Sequence, residues 1–302
     1  MKGIELSYEF FKSVREELET LFPKFRDRVA VGVFGSGSEC FGFDDELSKD
    51  HDLSSGFTML LTDSDDSEFG FELGRKYHDL CKSQKVVHSK FSIEKFGVFT
   101  IDDYFTRLLG FSSIPTDYRA FLYTPEYAFS EATNGKIFVD NLGVVTDFRN
   151  KLKSEYPKDV KLKKLAGHLA MMAQSGQYNY YRMLQRNDKG TALCLSEFVN
   201  HTIATLYLLE DRFCPYYKWQ FKGLEEGSFG YLLDDLYYLL NAENNDKKGD
   251  IIEEISRIVI KELKRQEVSD SYSDYLEDHA ISVQQHITNR AIRAMHLMDY
   301  GR

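Results

Sequence analysis

The stretch from Val31 to Leu61, VGVFGSGSECFGFDDELSKDHDLSSGFTMLL, constrains this chain more than any other. An apolar run, Val29–Phe34, reads as a buried strand and stops at Gly35-Ser36-Gly37-Ser38. Small residues there let the backbone turn sharply and come close to a ligand. An acidic connection leads to Asp50-His51-Asp52, followed by a second apolar run, Phe57–Leu61. On a strand, residues two apart share a face, so this spacing turns both carboxylates one way and His51 the other. Two same-facing carboxylates opposite a Gly/Ser turn suit a hard cation such as Mg²⁺, with backbone N–H groups of the turn to cradle phosphates. That chemistry fits nucleotidyl transfer.

Gly35-Ser36 followed by Asp50-x-Asp52 resembles the signature of the polymerase-β-type nucleotidyltransferase superfamily. The fuller string GSGSECFGFDDELSKDHD, with GKIFVDNLG at 135–143, MAQSGQYNYYRMLQR at 172–186 and PYYKW at 215–219, is similar to a bacterial branch of two-domain, nucleotidyltransferase-like proteins. The spacer between the two parts of the signature is long, and His51 stands where many members carry an apolar residue. The resemblance implies metal-ligating carboxylates at Asp50 and Asp52 and a phosphate-holding turn at Gly35, Ser36, Gly37 and Ser38. It also implies a third carboxylate from a neighbouring strand. Glu94, in the strand-like FSIEKF, is the first choice, with Asp102, Asp103 and Asp140 as competitors.

Composition narrows the class. At 302 residues with 42% apolar and 28% charged residues, the chain can hold two globular domains. A net charge of −10 argues against a protein that coats long nucleic acid, which needs a basic face. Cys40, Cys81, Cys194 and Cys214 show no paired spacing, as expected in a reducing cytosol. No apolar run reaches the roughly 18 residues of a membrane span, and the N-terminal residues lack a signal-peptide pattern. The expectation is a cytoplasmic protein.

Along the chain, residues 1–24 read as an amphipathic helix stopped by Pro23. Asp63–Glu68 reads as an exposed turn, Phe71–Leu80 as a helix, 86–101 as one or two strands, and Ile101–Leu109 as a short helix. Residues 110–140 look irregular up to the strand-like Lys136–Val139. Beyond Tyr156-Pro157 the pattern is helical, over 160–186, Ala192–Glu210, Leu232–Leu240, Asp250–Lys264 and Tyr275–Met298. The fold class expected is α+β: a nucleotidyltransferase-like mixed sheet with flanking helices over 1–156, and a helical bundle over 157–302, with the cleft between them.

On the first of these helices Gln174, Tyr178 and Arg182 form an i, i+4, i+8 stripe, and Arg182 or Arg186 could contact phosphate. A solvated helix face is the default explanation of the stripe, and the family resemblance is what favours the other. In the Pro215–Trp219 tract, Lys218 beside Trp219 could pair with phosphate while the ring stacks on a base, or the cluster packs between helices. Glu197 and His201 lie one turn apart; the carboxylate could act as a general base, and a buried helix cap or a surface pair is the plainer reading. Arg290 and His296 have the spacing of the Arg/His pair in a class of small helical RNases that often accompany minimal nucleotidyltransferases.

The expected activity is Mg²⁺- or Mn²⁺-dependent transfer of a nucleoside monophosphate from an NTP, with ATP the first candidate, to a hydroxyl of a small molecule or protein. The layout resembles antibiotic nucleotidyltransferases, and protein AMP-transfer also occurs in the superfamily. The alternative is a nucleotide- or partner-binding protein that keeps the fold without turnover.

Overall fold

A computed structural model describes residues 2–45, 56–83 and 95–301. Asp50, His51, Asp52 and Glu94 lie outside the described residues. The structure is α+β, mostly helical with a small mixed sheet. It divides into two compact units, one of Met1–Thr116 with Tyr127–Glu155, the other of Asp117–Glu126 with Tyr156–Arg302.

The first unit carries four described strands: β1 (Ala30–Val33), β2 (Thr58–Leu61), β3 (Gly97–Thr100) and β4 (Lys136–Val139). Their order is β3-β2-β1-β4. β1 runs antiparallel to β2 and β4, and β2 runs parallel to β3. The alternation of a pleated strand decides what each face meets. Val31 and Val33 of β1, with Phe57, Met59 and Leu61, join Phe10, Phe11, Val14 and Leu18 of the helix Gly3–Leu21 in one buried cluster. Phe34 packs edge-on against Tyr104, which meets Phe105, which in turn meets Phe148 of the helix Val144–Ser154.

Asp63–Glu68, expected as an exposed turn, is helical, running from Asp63–Asp65 into a π-turn at Asp66–Gly70. The Thr62 hydroxyl caps it by accepting from Asp65 N–H, and the buried Asp65 carboxylate pairs with Arg28 at 2.9 Å. Residues 110–140 are also more regular than expected, with helices at Tyr118–Tyr123 and Glu126–Thr133. Pro115 and Pro125 sit just ahead of those helices, where the missing N–H of proline costs nothing. Between 86 and 101 the described part forms β3 alone.

The second unit is built round the helix Lys158–Met172, which packs on Thr191–Leu209 and Leu276–Gln285. Gly167 lets the helix touch the Tyr300 ring, since a methyl group there would stand 2.2 Å from it. Helix does not run unbroken over 160–186: Ala173–Tyr180 is π-helical before the α-form resumes at Tyr181–Gln185. The C-terminal helix is broken as well. It stops at Gln285, and a single turn follows at Arg290–Arg293. The Asp159 carboxylate accepts from Thr288 N–H at 3.0 Å and Asn289 N–H at 2.7 Å, and Asn289 caps the new turn. Among the described residues one helix, Thr191–Leu209, is long and apolar enough to cross a membrane, and 61% of its apolar window is buried within the protein.

Candidate functional site

Gly35–Ser38 leaves the end of β1 in a conformation only glycine accepts readily. Gly35 has φ +102° and Gly37 φ +114°, both left-handed. The turn is fixed from a distance: Asn134 accepts from Gly35 N–H at 2.9 Å and donates to the Gly35 carbonyl at 2.8 Å. The Gly35 amide is therefore already engaged. Gly135 N–H donates to the Cys40 carbonyl at 2.8 Å, tying the other side of the turn to the residues before β4. The Tyr104 hydroxyl donates to the Phe34 carbonyl at 3.2 Å.

A cavity of about 390 Å³ opens at this turn, lined by Gly35, Ser36, Lys95, Tyr104, Arg107, Leu108 and Glu131. Its charges are mixed, with Lys95, Arg107 and Glu131 on the wall. Lys95 Nζ pairs with Glu39 Oε1 at 2.5 Å, with both side chains buried. The position of Lys95 is set through the backbone, since the Thr58 hydroxyl at the start of β2 donates to its carbonyl at 2.7 Å. The Arg107 guanidinium lies over the Phe99 ring at 4.8 Å. Burial raises the Glu131 carboxyl above the usual range, against the pull of Lys95. Burial likewise pushes the Cys40 thiol up to about 11, so it is a neutral, unreactive group beneath the turn. Beside the cavity, Arg149 is only 8% exposed, stacks over Phe34 at 5.3 Å and donates to the Asn134 carbonyl. Its Nε is buried with no hydrogen-bond partner among the described residues, and burial lowers the guanidinium pKa.

The cations at the turn are thus Lys95, Arg107 and Arg149, none of which local sequence pattern singles out. Of the cations named from sequence, Arg182 and Lys218 belong to the helical unit. Arg182 is exposed, stacked on Tyr178 at 5.1 Å and donating to its hydroxyl. Gln174 does not continue that stripe, because the intervening π-turns rotate it out of α-helical register. Gln177 takes the structural role there. It donates to Glu253 and the Asp274 carbonyl at 3.0 Å each, and accepts from Leu276 N–H at 2.8 Å. Lys218 is exposed, with Nζ 4.8 Å from the Trp219 ring centroid.

The competing carboxylates have other tasks. Asp140 accepts from Gly143 N–H at 3.0 Å and Thr146 N–H at 2.7 Å, capping the helix that follows. Asp102 accepts from the Ser112 hydroxyl, and Asp103 is exposed in the same helical turn. Among the described residues no group of three or more His, Cys, Asp or Glu side chains has metal-ligating geometry.

No curated protein and no solved structure matches the chain. One family model does. Residues 121–220 match a family described as a domain of unknown function, DUF4037. The match covers a third of the chain, taking in Glu131, Asn134 and Arg149 but neither the Gly35–Ser38 turn nor Lys95.

Two further sequence-named groups are brought together or separated by the fold. Glu197 accepts from His201 Nε2 at 3.1 Å, and His201 Nδ1 lies 2.8 Å from His168 Nδ1, a contact that sequence gave no reason to expect. Arg290 and His296 are both exposed but not on one helix, because the helical turn ends at Arg293. The spacing that suggested an RNase pair is therefore not a helical spacing.

Proposed function

We propose that the chain is a Mg²⁺-dependent nucleotidyltransferase, moving a nucleoside monophosphate from an NTP to a hydroxyl of a small-molecule or protein acceptor. The observation that carries this reading is where the strands begin. β2 starts at Thr58, opposite Gly32 of β1 and parallel to Gly97 at the start of β3. Both strands therefore begin at the end of the sheet where β1 runs into the glycine turn. In sequence, Asp50 and Asp52 precede β2 and Glu94 precedes β3. The glycine turn and the cavity lined by Lys95 and Arg107 lie at this sheet end, which supports a donor site there.

The likeness to polymerase-β-type nucleotidyltransferases supports the same reading. An all-carboxylate donor set suits a hard cation, and Asp50, Asp52 and Glu94 would hold it. A bound Mg²⁺ would supply charge neutralisation at the phosphates. In the transfer itself the acceptor oxygen bonds to the α-phosphorus and the bond to the β-phosphate oxygen breaks, releasing pyrophosphate. In this reading the chain's own cations, Lys95 and Arg107, which line the cavity at the turn, would offset the charge of the departing phosphates. The acidic balance of −10 favours a small or protein acceptor over long nucleic acid.

The test is incubation with Mg²⁺ and each NTP labelled at the α-phosphate, with hydroxyl-bearing acceptors and cell protein as acceptor pools. Metal-dependent label transfer with equimolar pyrophosphate, lost in Asp50→Asn/Asp52→Asn, is the expected result. Binding without transfer across every pool contradicts turnover and leaves a nucleotide-binding protein.

A further inference from the structure

Glu39 places a carboxylate where the surroundings suit a phosphate. Its side chain is 7% exposed and meets Lys95 Nζ at 2.5 Å. The pair lies directly against the glycine turn: a methyl group on Gly37 would stand 2.5 Å from Glu39 Oε2 and 2.7 Å from Lys95 Nζ. Lys95 also forms a wall of the 390 Å³ cavity, with Ser36 and Arg107. Arg149 adds a second buried cation at the same end of the sheet, with its Nε unpartnered among the described residues. Buried ion pairs contribute little net stability, because desolvation offsets the attraction. A Lys–Glu pair that touches the turn, with Lys95 on the wall of an open cavity and Glu39 behind it, is better explained by exchange than by structure.

We propose that Glu39 is an internal stand-in for phosphate, holding Lys95 at the glycine turn in the free protein until a phosphate of a bound nucleoside polyphosphate displaces it. The exchange rests on the cavity being the donor-nucleotide site. No covalent bond changes; one anion replaces another on the same ammonium group. In the free protein Glu39 keeps the buried cation compensated and aimed at the turn. The ligand must compete with it, so the apparent affinity is lowered by the fraction of molecules in which Glu39 holds Lys95.

Calorimetric titration with metal-free inorganic tripolyphosphate, and separately with Mg²⁺–ATP, tests the exchange. Glu39→Gln keeps the shape and removes the competing charge, and its tripolyphosphate affinity should rise on the order of ten-fold. Lys95→Met should lose tripolyphosphate binding. Arg107→Gln, at an exposed position on the cavity wall, should weaken it several-fold without moving the unfolding midpoint. Equal or weaker tripolyphosphate binding by folded Glu39→Gln would overturn the exchange and make Glu39 a positioning residue for Lys95. An unchanged Arg107→Gln would overturn the cavity as the anion site. The underlying reading fails separately. Tighter tripolyphosphate binding in Glu39→Gln, with Mg²⁺–ATP affinity indifferent to Asp50→Asn/Asp52→Asn, supports the exchange and contradicts the nucleotidyltransferase. Loss of Mg²⁺–ATP binding in that double variant, with Glu39→Gln unchanged, does the reverse.

Discussion

The side-chain amide of Asn134 makes two hydrogen bonds to the backbone of a single residue, Gly35, accepting from its N–H and donating to its carbonyl across 99 positions of sequence. This amide-to-peptide pairing imitates one rung of a sheet and holds the turn at the end of β1. Asn134→Ala leaves two enclosed backbone groups without partners, and should cost about 2–4 kcal/mol. Asn134→Asp keeps the acceptor for Gly35 N–H but sets a carboxylate oxygen against the Gly35 carbonyl, and should cost at least as much. Urea unfolding of the three proteins checks the order; equal stability of all three would show that the turn is held by other contacts.

Glycines in the left-handed region should differ according to what surrounds them. Gly42 has φ +72° with open space at the Cβ position, so Gly42→Ala should cost only about 1 kcal/mol of backbone strain. Gly37→Ala adds the collision with Glu39 and Lys95, and Gly135→Ala would press its methyl group to 2.0 Å from the Val33 carbonyl oxygen. Both should be more destabilising than Gly42→Ala, and Gly135→Ala the most, because backbone cannot yield as a side chain can. Denaturation midpoints of the three variants settle the ranking.

Lys163 is fully buried, donating to Gln284 Oε1 at 2.8 Å and to the carbonyls of His296 at 2.7 Å and Leu297 at 3.3 Å. Burial pushes its pKa down to about 8 from an ordinary 10.5. Between those values the folded protein binds fewer protons than the unfolded chain, so this group makes stability rise with pH through the window. Below about pH 8 the full penalty is present. The stability difference between wild type and Lys163→Met should therefore shift toward wild type by an order of 1–3 kcal/mol from pH 7.5 to 10. A difference that is flat with pH would contradict the assignment.

Thiol labelling should discriminate among the four cysteines. Cys40, Cys81 and Cys214 are buried, and burial raises each thiol above its usual range. Burial raises the Cys194 thiol as well, but Cys194 is only partly buried, near the start of its helix. A thiol-disulfide reagent at pH 8 should react rapidly with one thiol of the folded protein and with all four after denaturation, and Cys194→Ser should abolish the rapid phase. Two rapid phases would contradict the burial of Cys40, Cys81 or Cys214.

Local pattern was enough for much of the secondary structure. β1, β2, β4 and the helix Ile101–Leu109 follow directly from apolar runs and the residues that bound them, and the structure adds a Thr100 cap to that helix. Where the reading missed, side chains distant in sequence or capping groups decide. Asp159 breaks the C-terminal helix from 129 residues away, and the Arg28–Asp65 pair draws an acidic turn into helix. The π-segment Ala173–Tyr180 looks α-helical in sequence, because its composition does not register one extra residue per turn. At the site, Gly35–Ser38 was legible because glycine is required by backbone angle. Lys95, Arg107, Asn134 and Arg149 were not, since only the fold brings such ordinary polar residues to one turn.

The central claim is that the glycine turn and the acidic positions ahead of β2 form one donor-nucleotide site. Titration of ATP, GTP, CTP and UTP into the protein by calorimetry, with and without Mg²⁺, and into Asp50→Asn/Asp52→Asn, tests it most directly. The account predicts metal-dependent binding of at least one NTP that the double variant loses while its unfolding midpoint is unchanged. Absence of NTP binding by the folded wild-type protein, or binding equally tight without Mg²⁺ and without the two carboxylates, would contradict it.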